Sequence, residues 1–207
     1  QKDVLFSCQV RQRASRRRGL SSRDIFRASQ QVVNRYIYKD DISVVPVAIF
    51  QLRQVIELRL LEILGISMIE KDDGIPEKIT ANSFLKLPDI EKNIIFPAEI
   101  GNLKKIYTWS NLYVHLGVSG EYWLLEFAQN YLLDFILCNS VILKSYYDTL
   151  QKQISEFTGI DIDKIILSKY SSVDIVEDEK EFGEIKKMIE SKGYVGYRKY
   201  RGCRDYI

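Results

Sequence analysis

The only histidine of the chain, His115, lies four residues after Asn111 in the segment 109–117. On a helix, this spacing puts both residues on one face. An imidazole titrates near neutral pH, and an amide one turn away can fix its tautomer or hold a phosphate beside it. The spacing therefore predicts a catalytic pair. The structural alternative is a histidine that is hydrogen-bonded within the core, beside Trp109 and Tyr113.

Arg53 and Glu57 are oppositely charged residues with i, i+4 spacing in an otherwise apolar helical pattern. If that helix is central, the pair is partly buried and must find partners, either each other or groups on the helix of His115. Arg53 is therefore a third candidate catalytic residue. A salt bridge at the edge of the core is the structural alternative.

Two basic segments, one near each end of the chain, have the composition of nucleic-acid-binding surfaces. Arginine forks bridge phosphates, and tyrosines that alternate with cations suit base stacking on a single strand. The candidate residues are Arg16, Arg17, Arg18, Tyr197, Arg198, Lys199, Tyr200 and Arg201. The structural alternatives are a solvated N-terminal arm and a C-terminal strand whose cations pair with the acidic residues of 174–184. The net charge of +2 leaves any nucleic-acid affinity to such local patches.

Composition argues against several classes of site. Three widely separated cysteines and one histidine do not match a zinc site or a disulfide framework, which favours a reducing, cytoplasmic location. The acidic residues of 174–184 do not have the spacing of a calcium-binding loop. No glycine-rich nucleotide-binding motif occurs in the sequence. We predict no metal and no cofactor. Polar residues interrupt the most hydrophobic stretch, 122–143, which predicts a buried helix and no membrane span.

Apolar residues recur at helical spacing in four segments. This predicts a mainly α-helical bundle of about four main antiparallel helices. The helices are expected at 22–38, with Ser22 as the N-cap, at 46–65, at 97–115 and at 121–157. The second has the most continuous apolar face and is predicted to lie in the core. Residues 66–96 are a long connection that contains a helical turn or two.

The C-terminal part has a different pattern. Strands are predicted at 165–167, 172–176 and 194–200, and an amphipathic helix at 179–191. The predicted organisation is therefore a basic N-terminal arm over residues 1–21, a helical bundle over 22–158 and a small α+β appendage over 159–207.

The sequence FQLRQVIEL at 50–58, followed by Leu60 and Leu61, resembles the second helix of HEPN domains. These are helical bundles found in ribonucleases and in toxin or antiviral systems of prokaryotes. The family's catalytic signature is an arginine, a polar residue, a short spacer and a histidine. Asn111 and His115 match this pattern, whereas Ser110 stands where the arginine is expected. The resemblance covers residues 22–157.

The resemblance implies a bundle that forms dimers and acts on RNA. In the family, arginine and histidine from two protomers line a cleft in which a ribose 2′-hydroxyl attacks its own phosphate. Carried over to this chain, His115 is the acid or base, Asn111 orients it, and Arg53 replaces the missing cation at Ser110. Lys104 and Lys105 are further candidates for that cation.

Three hypotheses follow. The first is an RNA-binding protein that is a metal-independent ribonuclease, divergent or inactive, of a prokaryotic defence, toxin or mobile-element system. The second is a non-catalytic module that dimerises or binds a protein partner. The third is a helical bundle that binds a small ligand in a pocket, and its lining aromatic or charged residues are Trp109, Tyr113, Glu57, Tyr122 and Trp123.

Overall fold

The computed structural model describes residues 21–39, 44–69, 81–87, 90–116, 122–167 and 172–200. It is mainly helical and has a small three-stranded sheet to which the C-terminal region contributes. This confirms the predicted fold class, a helical bundle with a small α+β appendage. Within the described ranges, no helix is long and apolar enough to cross a membrane.

The first helix, α1, spans Ser22–Lys39, as the apolar periodicity predicts. Its cap is Ser21 and not Ser22, because Ser21 and Asp24 form a reciprocal capping box. The Ser21 hydroxyl donates to Asp24 Oδ2 at 2.6 Å, and the Ser21 backbone N–H donates to the same oxygen at 3.0 Å. These hydrogen bonds lower the pKa of the Asp24 carboxyl group.

The second helix, α2, spans Val44–Ile63 and is the central core helix, as predicted. Its buried positions recur at helical spacing on a wide face, and they are Val45, Ala48, Ile49, Leu52, Val55, Ile56, Arg59, Leu60 and Ile63. It packs against α1 along its length. Gly65 follows with φ = +70°, a left-handed conformation that ends the helix without the steric cost of a side chain.

The third predicted helix is α5, which spans Ile100–Leu116 and begins three residues later than expected. The fourth predicted helix, 121–157, is wrong as a single element. The chain forms α6 at Tyr122–Leu137, a strand, β3, at Ser140–Leu143, and then α7 at Lys144–Thr158. All four residues of β3 are buried, and such a short apolar run has no periodicity to separate a strand from a helix.

Short elements fill the region between α2 and α5. They are β1 at Ile66–Ile69, α3 at Ala81–Phe84, α4 at Ile90–Asn93 and β2 at Ile94–Ile95. Two strands come from the C-terminal part, namely β4 at Ile165–Leu167 and β5 at Val173–Val176, close to their predicted positions. β1 pairs antiparallel with β4, while β3 lies between antiparallel β2 and parallel β5. The C-terminal strands therefore pair with strands that lie between the bundle helices.

The last helix, α8, spans Glu179–Tyr200 with a kink at Gly193, where φ is +63°. The strand predicted at 194–200 is therefore wrong, because this backbone is helical. The tyrosines in that segment recur every third residue as well as alternating with cations, a spacing that a helix also accommodates.

The carboxyl end of α6 is bound by two arginines. Four successive carbonyl groups accept their hydrogen bonds, and these belong to Phe135, Ile136, Leu137 and Cys138. Arg59 of α2 binds the first and the last, with Nε 2.7 Å from the first oxygen. Arg23 of α1 binds the middle two at 3.2 and 3.1 Å. The two cations thus satisfy acceptors that the helix itself leaves open.

A carboxylate connects this helix end to the start of α1. Glu62 Oε2 lies 3.0 Å from Arg59 Nη1, and Glu62 also accepts hydrogen bonds from the Ser22 backbone N–H at 2.7 Å and hydroxyl at 2.6 Å. Arg59 is fully buried, and burial lowers the pKa of its guanidinium group while the contact with Glu62 opposes that effect. This polar connection joins α1, α2 and α6 inside the bundle.

Candidate functional site

A cluster of three polar side chains lies where α2 faces α5. Glu57 of α2 accepts a hydrogen bond of 2.7 Å from the Tyr107 hydroxyl of α5, and Arg53 Nε lies 3.4 Å from the same carboxylate oxygen. Arg53 Nη2 also donates to the Tyr107 hydroxyl at 3.5 Å. The guanidinium carbon of Arg53 lies 5.4 Å from the centroid of the Tyr107 ring, within cation–π range. We call these three residues the Arg53 cluster.

The environment of the cluster keeps its charges paired and its phenol protonated. Burial, followed by the hydrogen bond to Glu57, raises the pKa of Tyr107. The hydroxyl therefore remains a donor to Glu57 at neutral pH. The Arg53 side chain is 11% exposed and that of Glu57 is 21% exposed, so solvent reaches both charged groups. Tyr107 itself is only 1% exposed, so the cluster is a largely buried charged site between two helices.

Helix α5, which carries Tyr107, also carries the other two candidate catalytic residues. Asn111 lies one turn after Tyr107 and His115 one turn after Asn111, so helical spacing places the three backbone positions along one face of α5. Asn111 Oδ1 is buried and has no hydrogen-bond donor among the described residues. The backbone of His115 lies in the last turn of α5, and its side chain lies outside the described part.

Ser110 stands at the position where the HEPN signature has an arginine. Its surroundings would not accommodate a cation in contact with solvent. This residue is fully buried, and its hydroxyl donates to the Tyr107 carbonyl at 2.7 Å. A long charged side chain at this position would have to enter the core. Lys105 is exposed near the start of α5, and its Nζ lies 3.5 Å from Asn102 Oδ1. The preceding residue, Lys104, is half-buried. Of these cations, Arg53 is the one that contacts Tyr107.

The proposed pocket residues lie on three helices. Trp109 and Tyr113 form an edge-to-face pair with ring centroids 5.1 Å apart, and both pack against the core. Trp109 Nε1 is buried and has no acceptor among the described residues. Glu57, by contrast, binds Tyr107, while Tyr122 is half-buried and Trp123 is 62% exposed on α6.

A cavity of about 430 Å³ lies at the opposite end of α5 from His115. Its apolar wall comes from β2, the following residues and α8, and its rim carries Glu91, Glu99, Lys186 and Glu190. None of these residues stands out in the sequence, because they come from segments far apart in the chain. Among the described residues, no group of three or more His, Cys, Asp or Glu side chains is placed to hold a metal ion.

Half of the candidate nucleic-acid-binding residues lie outside the described part. This holds for Arg16, Arg17, Arg18 and Arg201. The backbones of the remaining four lie in the last turns of α8, and their side chains are not described; they are Tyr197, Arg198, Lys199 and Tyr200.

Tyr107 is the member of the cluster that the sequence analysis missed. Its position four residues before Asn111 was an available signal, because it extends the row of Asn111 and His115 by one turn. Only the contact between α2 and α5 shows that this tyrosine binds Glu57 and lies beneath Arg53.

Comparisons with protein-family models, curated proteins and solved structures found no significant match to this chain. The resemblance to HEPN domains therefore stays a prediction, and the functional argument depends on the geometry of the site.

Proposed function

We propose that this chain binds RNA beside Arg53 and the last turns of α5 and cleaves it as a metal-independent ribonuclease. In this proposal Arg53 binds the phosphate, His115 transfers protons, and Asn111 orients the imidazole or a ribose hydroxyl. The observation that carries the proposal is the Arg53 cluster, which places an arginine whose side chain is 11% exposed against the helix of Asn111 and His115.

Two features of the cluster support binding of an anion beside α5. Glu57 and the Tyr107 ring hold the Arg53 side chain in place, so a ligand does not have to order it. Arginine presents several N–H donors in a fixed plane, and contacts with Glu57 and Tyr107 leave further donors for phosphate oxygens.

The proposed reaction is an intramolecular transfer at phosphorus. A proton leaves the ribose 2′-hydroxyl, the 2′-oxygen bonds to phosphorus, and the bond to the 5′-oxygen breaks as that oxygen gains a proton. The products are a 2′,3′-cyclic phosphate and a 5′-hydroxyl end. His115 moves protons in this reaction, and Arg53 stabilises the negative charge that develops on the phosphoryl oxygens.

The activity test is RNA cleavage by the purified chain in the presence of a chelator. We expect His115→Ala to abolish cleavage and Arg53→Gln to slow it by about 10²–10³-fold, the usual cost of losing a charge-stabilising donor. Lys152→Gln is the matched control, because Lys152 is 72% exposed on α7 and lies outside the row. A substrate with 2′-deoxyribose at the cleaved position should remain intact.

The binding test uses fluorescence anisotropy with an uncleavable RNA at several salt concentrations. Arg53→Gln should weaken binding and reduce the slope of log K against log salt by about 0.7, whereas Lys152→Gln should leave both unchanged. If wild-type protein and His115→Ala are equally inert, the ribonuclease proposal is wrong. If Arg53→Gln lowers only the stability of the fold, the cluster is a salt bridge at the edge of the core.

A further inference from the structure

The cavity at the start of α5 has the size and the wall of a small-molecule site. Its volume of about 430 Å³ lies within the usual range of roughly 300–1,000 Å³ for such sites. Its wall is apolar and comes from β2 and the residue after it, from α5 and from α8. The residues of this wall are Ile94, Ile95, Phe96, Ile100 and Ile189. We call this space the α5 cavity.

Helix α8 lines the α5 cavity with one of its faces. Lys186, Ile189 and Glu190 have the i, i+3 and i+4 spacing that brings side chains together on a helix. The preceding turn of α8 buries Phe182 and Ile185, and the helix contacts β3 and β5. The α8 side of the cavity is therefore held in place by the core, so a ligand does not have to order it.

Gly101 keeps the α5 side of the cavity open. This glycine lies in the first turn of α5 and lines the cavity, and an added Cβ would meet no atom within 4 Å. Its φ is not positive, so the backbone conformation does not require glycine at this position. The missing side chain thus leaves open space at the cavity wall.

The rim of the α5 cavity carries more negative than positive charge. Three carboxylates stand against a single ammonium group, that of Lys186. The carboxylates belong to Glu91, Glu99 and Glu190. Glu99 is engaged by its own helix, because its Oε2 accepts a hydrogen bond of 2.7 Å from Asn102 Nδ2 at the start of α5. Glu91 and Glu190 are exposed, and among the described residues neither has an ion-pair partner.

This combination of wall and rim selects a cationic ligand. Ammonium and guanidinium groups form charge-assisted hydrogen bonds with carboxylates, whereas an anion would be repelled by them. We propose that the α5 cavity binds a small organic amine or guanidine. Its apolar body packs against the isoleucine wall, and its charge is recognised by Glu91 and Glu190. The inference depends on the end of α5 away from His115 and not on the Arg53 cluster, so it holds whether or not the chain cleaves RNA.

The first test is a titration with 2-phenylethylamine, followed by NMR of the full chain labelled at the isoleucine δ1-methyl groups. The signals of the wall should shift with a Kd at or below about 1 mM, a reasonable affinity for a ligand of this size. These signals belong to Ile94, Ile95, Ile100 and Ile189. The matched probe is 3-phenylpropionate, which has the same ring and a similar chain but the opposite charge, and it should not saturate the shifts over the same concentrations. The proposal is wrong if the carboxylate binds as tightly as the amine, or if the amine leaves the wall signals unchanged.

The second test repeats the amine titration on variants. Glu91→Gln and Glu190→Gln should each weaken binding by about 2–5-fold, as expected for exposed ion pairs. Gly101→Leu should abolish binding, because it fills the open space without displacing other atoms.

Glu156→Gln is the matched control for the charge variants, since Glu156 is 65% exposed on α7 and does not line the cavity. Far-UV circular dichroism should show that all variants remain folded. Wild-type affinity in Gly101→Leu would overturn the proposal, as would glutamine variants at the rim that bind the amine no more weakly than Glu156→Gln.

Discussion

Replacing Arg59 tests the proposal that a buried guanidinium group holds the carboxyl end of α6. We expect Arg59→Met to lower the free energy of unfolding by about 3–5 kcal/mol, the usual cost of removing one partner from a buried ion pair. Methionine keeps a long apolar stem but supplies no donor. Two backbone carbonyls and the Glu62 carboxylate would lose the hydrogen bonds that Arg59 makes to them.

Arg23→Met is the matched control for this substitution. Arg23 also binds two carbonyls at the same helix end, but it is exposed on α1. Water replaces its hydrogen bonds, so we expect a loss of at most about 1 kcal/mol. The two variants therefore remove the same number of carbonyl contacts, but they differ in burial and in the ion pair with Glu62, which Arg59→Met also removes.

The measurement is urea unfolding of both variants, followed by far-UV circular dichroism and analysed by linear extrapolation. For a domain of this size, the expected loss in Arg59→Met corresponds to a fall in the melting temperature of roughly 6–20 °C. Equal losses in the two variants, or a loss below about 1 kcal/mol in Arg59→Met, would refute the argument that burial makes this contact important.

Three further predictions concern a turn, a helix and a titrating group. Gly65→Ala should cost about 1–3 kcal/mol, because φ is +70° and a Cβ there would lie 2.9 Å from the Tyr147 ring, and urea unfolding measures it. Gly183→Ala should instead stabilise the protein by up to about 1 kcal/mol in the same assay, since this helical glycine has nothing within 4 Å of an added Cβ. The raised pKa of Tyr107 means that the unfolded chain ionises first as the pH rises. The free energy of unfolding should therefore decline above about pH 10 more steeply in the wild type than in Tyr107→Phe, and equal declines would contradict the assigned burial.

Helical periodicity predicted α1, α2 and α5 to within a few residues, because each helix buries one stripe of apolar side chains. It failed at β3, where Val141, Ile142 and Leu143 continue the apolar pattern of α6. This run is a strand because β2 and β5 pair with it on both sides, and those strands lie far away in the sequence. Local patterns carry no information on such distant pairing.

The candidate site was predicted in part for the same reason. The spacing of Arg53 and Glu57 predicted their ion pair, because residues four apart on a helix are neighbours. Tyr107 joins them only because α5 packs on that side of α2, and the sequence of neither helix specifies which faces meet.

The amino-acid sequence by itself determined a mainly helical chain with a central α2, and it identified His115, Asn111 and Arg53 as the residues to test. Only the tertiary structure decided which arginine of α2 is fully buried in the core and which keeps contact with solvent. Arg59 and Arg53 both interrupt one apolar helix, and each has a glutamate within one turn. Arg59 is fully buried because its side of α2 faces the carboxyl end of α6, whose carbonyl groups need donors. Arg53 faces the edge of α5 and keeps contact with solvent.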